Sequence, residues 1–222
     1  TVVDGKLPVG EQTVEFDTKS TASGIGFEVG LDFALLDNNL IIALKYTSPV
    51  ALEFENDTKV DGTGLFPDKA KKRRDLPGYI SAGIGYNITP KINVSTSFDY
   101  FMETMADWEG AEKDVEDTYQ IGAGVVYSLL PRLKLSTGVL YVGVRTTDEY
   151  MSDLDYPLTS VTVGFGAMYE VIDNLNLNLG ISKGFYSTYT EKLSAAEAPA
   201  TDVEQSYAKS IMNVAVGVQY KL

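Results

Sequence analysis

The sequence predicts an all-β chain, a transmembrane antiparallel up-and-down β-barrel, on three observations. The tail alternates strictly. Met212, Val214, Val216, Val218, Tyr220 and Leu222 fall on one face, and Ile211, Asn213, Ala215, Gly217 and Gln219 on the other. Period-two alternation is the mark of a strand with two unlike faces. The same pattern recurs along the chain in about ten segments, joined alternately by tight turns and long polar loops, the asymmetry of barrels with short periplasmic and long extracellular connections. Finally, the face opposite the apolar one is Gly, Ser and Asn with few charges, which suits a crowded lumen rather than open water.

Composition narrows the rest. The 222 residues suffice for one mid-sized barrel, taken as a single domain over 1–222 whose first 22 residues are weakly patterned. There is no Cys, so disulfides and thiolate metal sites are excluded. There is no His, which removes the commonest general base, the Ser-His and Cys-His pairs and the usual zinc ligand. A net charge of -13 argues against nucleic acid as a partner. No apolar run reaches the ~18 residues of a transmembrane helix, which leaves open a barrel, whose strands need only about 9–11. Thr1 opens without a basic and apolar leader, and Thr-Val-Val-Asp-Gly reads as an arbitrary start with upstream sequence expected before it.

The elements follow in order. Residues 1–10, with Gly5, Pro8 and Gly10, read as loop, and Glu11 to Thr18 as a weak short strand. Ile25, Phe27, Val29, Leu31, Phe33 and Leu35 share a face up to a turn at Asp37-Asn38-Asn39. Leu40, Ile42, Leu44, Tyr46, Val50, Leu52 and Phe54 read as one long strand that Pro49 kinks, since proline gives the ladder no N–H. A polar loop from Asn56 to Asp75 carries the basic run Lys71-Lys72-Arg73-Arg74. Ile80, Ala82, Ile84, Tyr86 and Ile88 lead to a turn at Thr89-Pro90-Lys91, and Ile92, Val94, Thr96, Phe98, Tyr100 and Met102 return. An acidic loop, Glu103 to Asp117, holds the lone Trp108. Strands then run through Tyr119 to Tyr127 and Leu133 to Tyr141, around a turn at Pro131. A second acidic loop spans Thr146 to Tyr156. Val161 to Tyr169 and Leu175 to Ile181 flank the turn at Asp173, and a loop from about Thr188 to Ser206 precedes the terminal strand.

A soluble antiparallel barrel or sandwich also alternates, with its apolar face inside. The scarcity of charge on the polar face speaks for a membrane barrel. So do the aromatic residues near strand ends of the apolar face: Phe27, Phe33, Tyr46, Phe54, Tyr86, Tyr100, Tyr127, Tyr141, Tyr169 and Tyr220. Aromatic side chains gather at both membrane interfaces, and only a closed sheet pairs every backbone group in lipid.

Two stretches resemble a known family. Asn39 to Asp57 contains Tyr46-Thr47-Ser48-Pro49-Val50, and Leu76 to Trp108 opens with Leu76-Pro77-Gly78 and turns at Thr89-Pro90-Lys91. In this order they are similar to the FadL, OmpP1-like family of outer-membrane proteins. The resemblance implies a fourteen-stranded barrel with an N-terminal plug that takes up hydrophobic compounds such as long-chain fatty acids. The plug segment and the family's first strands have no counterpart in this sequence. The resemblance also implies the bacterial outer membrane, with the lipid bilayer, lipopolysaccharide and a hydrophobic ligand or detergent as partners. No cofactor is expected, and the chain is expected to be a monomer.

Candidate residues lie on the lumen side. Phe101, Val126, Leu140, Val142 and Met168 are apolar positions on the otherwise small or polar face. They suit a hydrophobic ligand, or packing against a plug, or a bulge that shifts the register. Among the inward charges Glu28, Asp32, Lys45, Glu53, Asp99, Arg132, Lys134 and Glu170, Lys45 is best placed for a carboxylate head group; mutual ion pairing is the plainer role. The acidic loops, with Asp107, Glu109, Glu112, Asp114, Glu116 and Asp117, then Asp148, Glu149, Asp153 and Asp155, offer oxygen ligands for divalent cations but no EF-hand spacing, so solvated loops are the simpler reading. Lys71 to Arg74 suits lipopolysaccharide phosphates or a solvated tip. No carboxylate pair is marked as a catalytic dyad, so the chain is read as a non-enzyme. The alternative function is a surface barrel acting as adhesin, receptor or general porin.

Overall fold

The computed structural model of the chain describes residues 2–9, 12–152, 155–192 and 204–221. Asp153 of the second acidic loop and Leu222 at the end of the terminal apolar face lie outside the described residues. The strands in chain order are β1 (Val2–Val9), β2 (Gln12–Thr21), β3 (Glu28–Leu35), β4 (Leu40–Thr47), β5 (Glu53–Asp61), β6 (Lys71–Arg73), β7 (Tyr79–Thr89), β8 (Ile92–Phe101), β9 (Thr118–Leu130), β10 (Leu133–Gly143), β11 (Ser160–Ile172), β12 (Leu175–Tyr186), β13 (Tyr189–Lys192), β14 (Glu204–Tyr207) and β15 (Ser210–Tyr220). Among the described residues the only helical pieces are three single 3-10 turns in the acidic loops.

Nine strands form one antiparallel sheet in the order β15-β12-β11-β10-β9-β8-β7-β4-β3. Its hairpins close where the sequence places tight turns. The first uses Leu36, Asp37 and Asn38 at φ of 53°, 54° and 66°, a left-handed run that Asp and Asn tolerate better than most residues. Side chains alternate across a strand, and directly paired residues share a face. The register therefore sorts the whole sheet. One row runs Lys45, Ser81, Asp99, Gln120, Val142, Ser160, Tyr186; a second runs Asp32, Ala43, Gly83, Ser97, Gly122, Leu140, Thr162, Gly184. The opposite face carries the apolar set. Val214, Val216 and Val218 are each 70% exposed, and Leu31, Ile84, Phe165 and Leu179 are exposed as well. The buried apolar residues among those described are Ala106, Val115, Leu158 and Tyr207, none of them in this sheet. The apolar face thus points away from the protein, the reverse of a soluble sheet.

Three expectations need correcting. Residues 40–54 are not one strand in one sheet. The ladder of β4 ends at Thr47, and β5 belongs to a second sheet of order β1-β2-β5-β6. Pro49 is the reason, because it offers no N–H and the chain must step around it. The three neighbouring strands break together: β2 leads into β3, β4 into β5 and β6 into β7. Across the break, Ser48 N–H donates to Phe27 O at 2.9 Å, and Val50 and Leu76 exchange bonds of 3.0 and 2.9 Å. A Cβ on Gly78 would stand 2.9 Å from Pro49 Cδ and 3.0 Å from Thr47 O, so the close approach requires glycine there. Accordingly Glu53 and Phe54 belong to the second sheet and join neither face of the large one. The second correction concerns the segment read as loop at residues 1–10, of which Val2–Val9 form edge strand β1, where Pro8 costs no central ladder bond. The third concerns the long loops. β5 extends to Asp61, β6 lies within the polar loop, and β13 pairs β14 within the last one. The weak strand at Glu11 to Thr18 is there as β2, in the second sheet.

Candidate functional site

The polar face of the large sheet carries a concavity of about 900 Å³ between β8 and β15. Small residues make its floor. Gly124, Gly138 and Gly164 sit side by side in register, and Gly166 and Gly180 sit in the next inward row. Its apolar projections are Val126, Leu140 and Met168, with Lys134, Asn178 and Thr162 as polar neighbours. Strand pairing explains the grouping. Lys134 pairs Met168, and Ser136 pairs Val126, so three adjacent strands bring these side chains together near the tight-turn end. Leu140 stands six positions further along β10, about 20 Å at the antiparallel rise.

All six sequence candidates share this face. Three of them, Val126, Leu140 and Met168, line the concavity. Val142 lies one inward position beyond Leu140, outside it. Phe101 and Lys45 lie at the other end of the sheet, where the Phe101 ring packs 5.2 Å from that of Tyr79. Lys45 is already engaged. Its Nζ stands 3.3 Å from Glu28 Oε2, donates to Tyr79 Oη at 3.2 Å and lies 5.0 Å from the Tyr79 ring centroid. A ligand carboxylate at Lys45 must therefore compete with Glu28. Sequence spacing could not reveal this, because the pair depends on the β3–β4 register. The same holds for other inward charges: Asp99 accepts from Ser81 Oγ, and Arg132 binds Asp173 at 2.8 Å in the turns.

Over the long-loop end, the connections bind one another. Trp108 Nε1 donates to Asp75 O at 2.8 Å, and the Arg74 guanidinium lies 4.2 Å from the Trp108 ring centroid. Arg74 also donates to Tyr150 Oη, which donates to Asp155. Asp75 is buried and accepts from Arg73 Nε at 3.0 Å, from Leu52 N–H and from Asp107 N–H. The hydrogen bond from Arg73 holds the Asp75 carboxyl below the usual carboxylate range. Burial pushes Glu103 up, against the Thr118 N–H it accepts. Tyr189 is pushed up to about 12 by its hydrogen bond to Asp148.

These contacts occupy most of the loop charges that sequence reading left open for cations or phosphates. Lys71 pairs Glu53 at 2.6 Å, Arg73 pairs Asp75, and Arg74 faces Asp155. Of the basic run, Lys72 alone has no ion pair among the described residues. Of the acidic residues, Glu112 accepts from the Trp108 and Gly110 N–H groups, Glu116 binds Arg145, and Asp117 binds Thr104 and Tyr100. No group of three potential metal ligands occurs among the described residues.

No protein-family model and no curated protein matches the sequence. Solved structures do match in fold. The chain is similar to a Pseudomonas aeruginosa FadL homologue, with a TM-score of 0.65 and 13% identity over 94% of this chain. It is also similar to the CymD monoaromatic hydrocarbon channel, at 0.56 and 12% over 93%. The P. putida toluene transporter TodX gives 0.53 and 15% over 98%. The match spans 62%, 53% and 52% of those three chains, so this chain covers between about half and two thirds of the length of the proteins it is similar to.

Proposed function

We propose, from the fold this chain shares with FadL-type outer-membrane channels, that it forms wall and ligand-binding surface of a channel for hydrophobic small molecules, long-chain fatty acids among them. The observation that carries the reading is the inversion of the sheet. Its apolar face is exposed, with Val214, Val216 and Val218 each at 70%, while the opposite, concave face is glycine, serine and asparagine around an apolar patch. An exposed apolar surface of this extent marks a membrane or partner contact. Rings of Tyr86, Tyr127, Tyr169 and Tyr220 near the tight turns, and of Tyr46, Tyr100, Tyr141 and Phe185 near the long loops, support a bilayer as what covers it. The outer membrane of a bacterium is the corresponding location, with the tight turns periplasmic and Lys72 left to meet lipopolysaccharide phosphates. The similar structures are channels, and the reading is of a channel rather than an enzyme.

In this mechanism a ligand enters past the long loops, lies along the concavity against Leu140, Val126 and Met168, and leaves through the lumen or the wall. The barrel, its strand number and a monomeric state belong to the proposal. The test is uptake of a radiolabelled fatty acid by vesicles holding the protein, against Met168→Asp/Val126→Asp vesicles. Faster uptake than empty vesicles, lost in the double variant, is expected. Uptake equal to that of empty vesicles sinks the reading.

The second reading is a surface receptor or adhesin, and the four-stranded extension β1-β2-β5-β6 supports it. Deleting residues 56–70 at its tip removes binding to a cell surface in that case and leaves ligand uptake intact in the channel case.

A further inference from the structure

We propose that Lys134 is the residue by which the concavity tells an anionic amphiphile from an uncharged one of the same chain length. The inference rests on the channel reading and adds to it the head-group chemistry. Its starting point is a contrast of charge. The chain carries a net charge of -13, yet no Asp or Glu lines the concavity, and Lys134 is the one charged residue that does. Among the described residues the Lys134 side chain has no ion pair and no hydrogen bond. Lys45, by contrast, is held by Glu28. Glu170 follows Met168 on the same face without pairing to Lys134.

Position makes the charge useful. Lys134 pairs Met168 across β10 and β11, and Val126 pairs the next inward residue of β10, Ser136. A carboxylate or sulfonate at Lys134 Nζ thus places its tail against Met168 and Val126, with about 20 Å of glycine-floored surface leading to Leu140. A cation facing an apolar patch and making no ion pair among the described residues favours a ligand that supplies both an anion and a hydrocarbon. The lysine aliphatic stem extends the apolar surface under the tail. Near the tight-turn end, the head group leads and the tail trails toward the long loops.

The experiment is calorimetric titration of the full chain in non-ionic detergent with decanoate and with decanol, which share a tail and differ in charge. Decanoate is expected to bind more tightly to the native chain. Lys134→Gln is expected to weaken decanoate about tenfold, as losing a charge-assisted bond does, and to leave decanol where it was. Lys134→Arg keeps the preference, and Lys91→Gln in the β7–β8 turn controls for net charge. Equal affinity for both probes in the native chain, or an equal loss of both in Lys134→Gln, overturns the proposal and leaves the channel reading standing. Failure of both probes to bind the native chain overturns both readings, and failure of decanoate alone overturns the proposal. Retained decanoate preference in Lys134→Arg separates loss of charge from loss of fold.

Discussion

Asp75 shows how much one side chain holds at the long-loop end. Its carboxylate joins the break between β4 and β5, through Leu52 N–H, to the loop that carries Trp108, through Asp107 N–H. Because its folded pKa is depressed, its contribution is fully present above the unfolded value and is lost as pH falls through the folded one. The emission of Trp108, the single tryptophan, is therefore expected to stay constant from pH 8 to 5 and to shift red only below about 4, the ordinary Asp range. Asp75→Asn, which keeps the shape and removes the charge, is expected to show the acid spectrum at pH 7 and to speed protease cleavage between 103 and 117. An unchanged spectrum means that the loop's other contacts, the Arg74–Trp108 stack and the Glu112 and Asp117 hydrogen bonds among them, hold it without the Asp75 charge. At this scale the sequence was partly legible. The six inward positions follow from period two, and all share one face. Their division into three that meet and three that do not depends on how the sheet curves, and the Glu28–Lys45 pair depends on register. Neither is written in local spacing.

The strands themselves were the most legible level, because alternating hydrophobicity repeats in every strand of the large sheet. The second sheet was less legible for a physical reason. β5 carries Asp61 and Asn56 on one face and Glu55 and Asp57 on the other, so pairing there rests on backbone bonds and cross-strand polar contacts such as Thr18 with Thr58 at 2.6 Å. Pro49 was readable as a kink, while its effect on all three neighbouring strands was not. Face assignment gives a sharp prediction. Phe165→Arg, on the exposed apolar face, is expected to destabilise the protein in lipid by about 2–4 kcal/mol, measured by urea unfolding in liposomes. Ser97→Arg, on the opposite, polar face, is expected to cost little. If the two costs are equal, the apolar face does not meet hydrocarbon. The aromatic rings also set a span. Tyr119 and Tyr127 lie eight positions apart on β9, about 27 Å along the strand. At a tilt of about 40° this gives a height near 20 Å, comparable to the ~25 Å apolar band of outer-membrane barrels.

At the scale of the molecule, nine antiparallel strands end on two edges, β3 and β15, that run in the same direction. Closing such a sheet with antiparallel neighbours takes an odd number of strands besides these nine, since unpaired amides are not tolerated in hydrocarbon. In the 222-residue chain alone, hydrogen exchange is expected to be fast at the outer amides of β3 and β15 and slow from β7 to β12. Uniform protection of both edges indicates that they are covered, by each other or by another strand.

The row of glycines beneath Val126, Leu140 and Met168 has a kinetic meaning. Motion of a flexible hydrocarbon over a surface is slowed by corrugation, by the steps from one side chain to the next. Gly124, Gly138, Gly164, Gly166 and Gly180 offer almost none, so sliding friction is low between the few protruding residues. In the channel proposed above, Leu140 and Met168 would then be two shallow resting places on a smooth track, an arrangement that favours rapid passage over long residence.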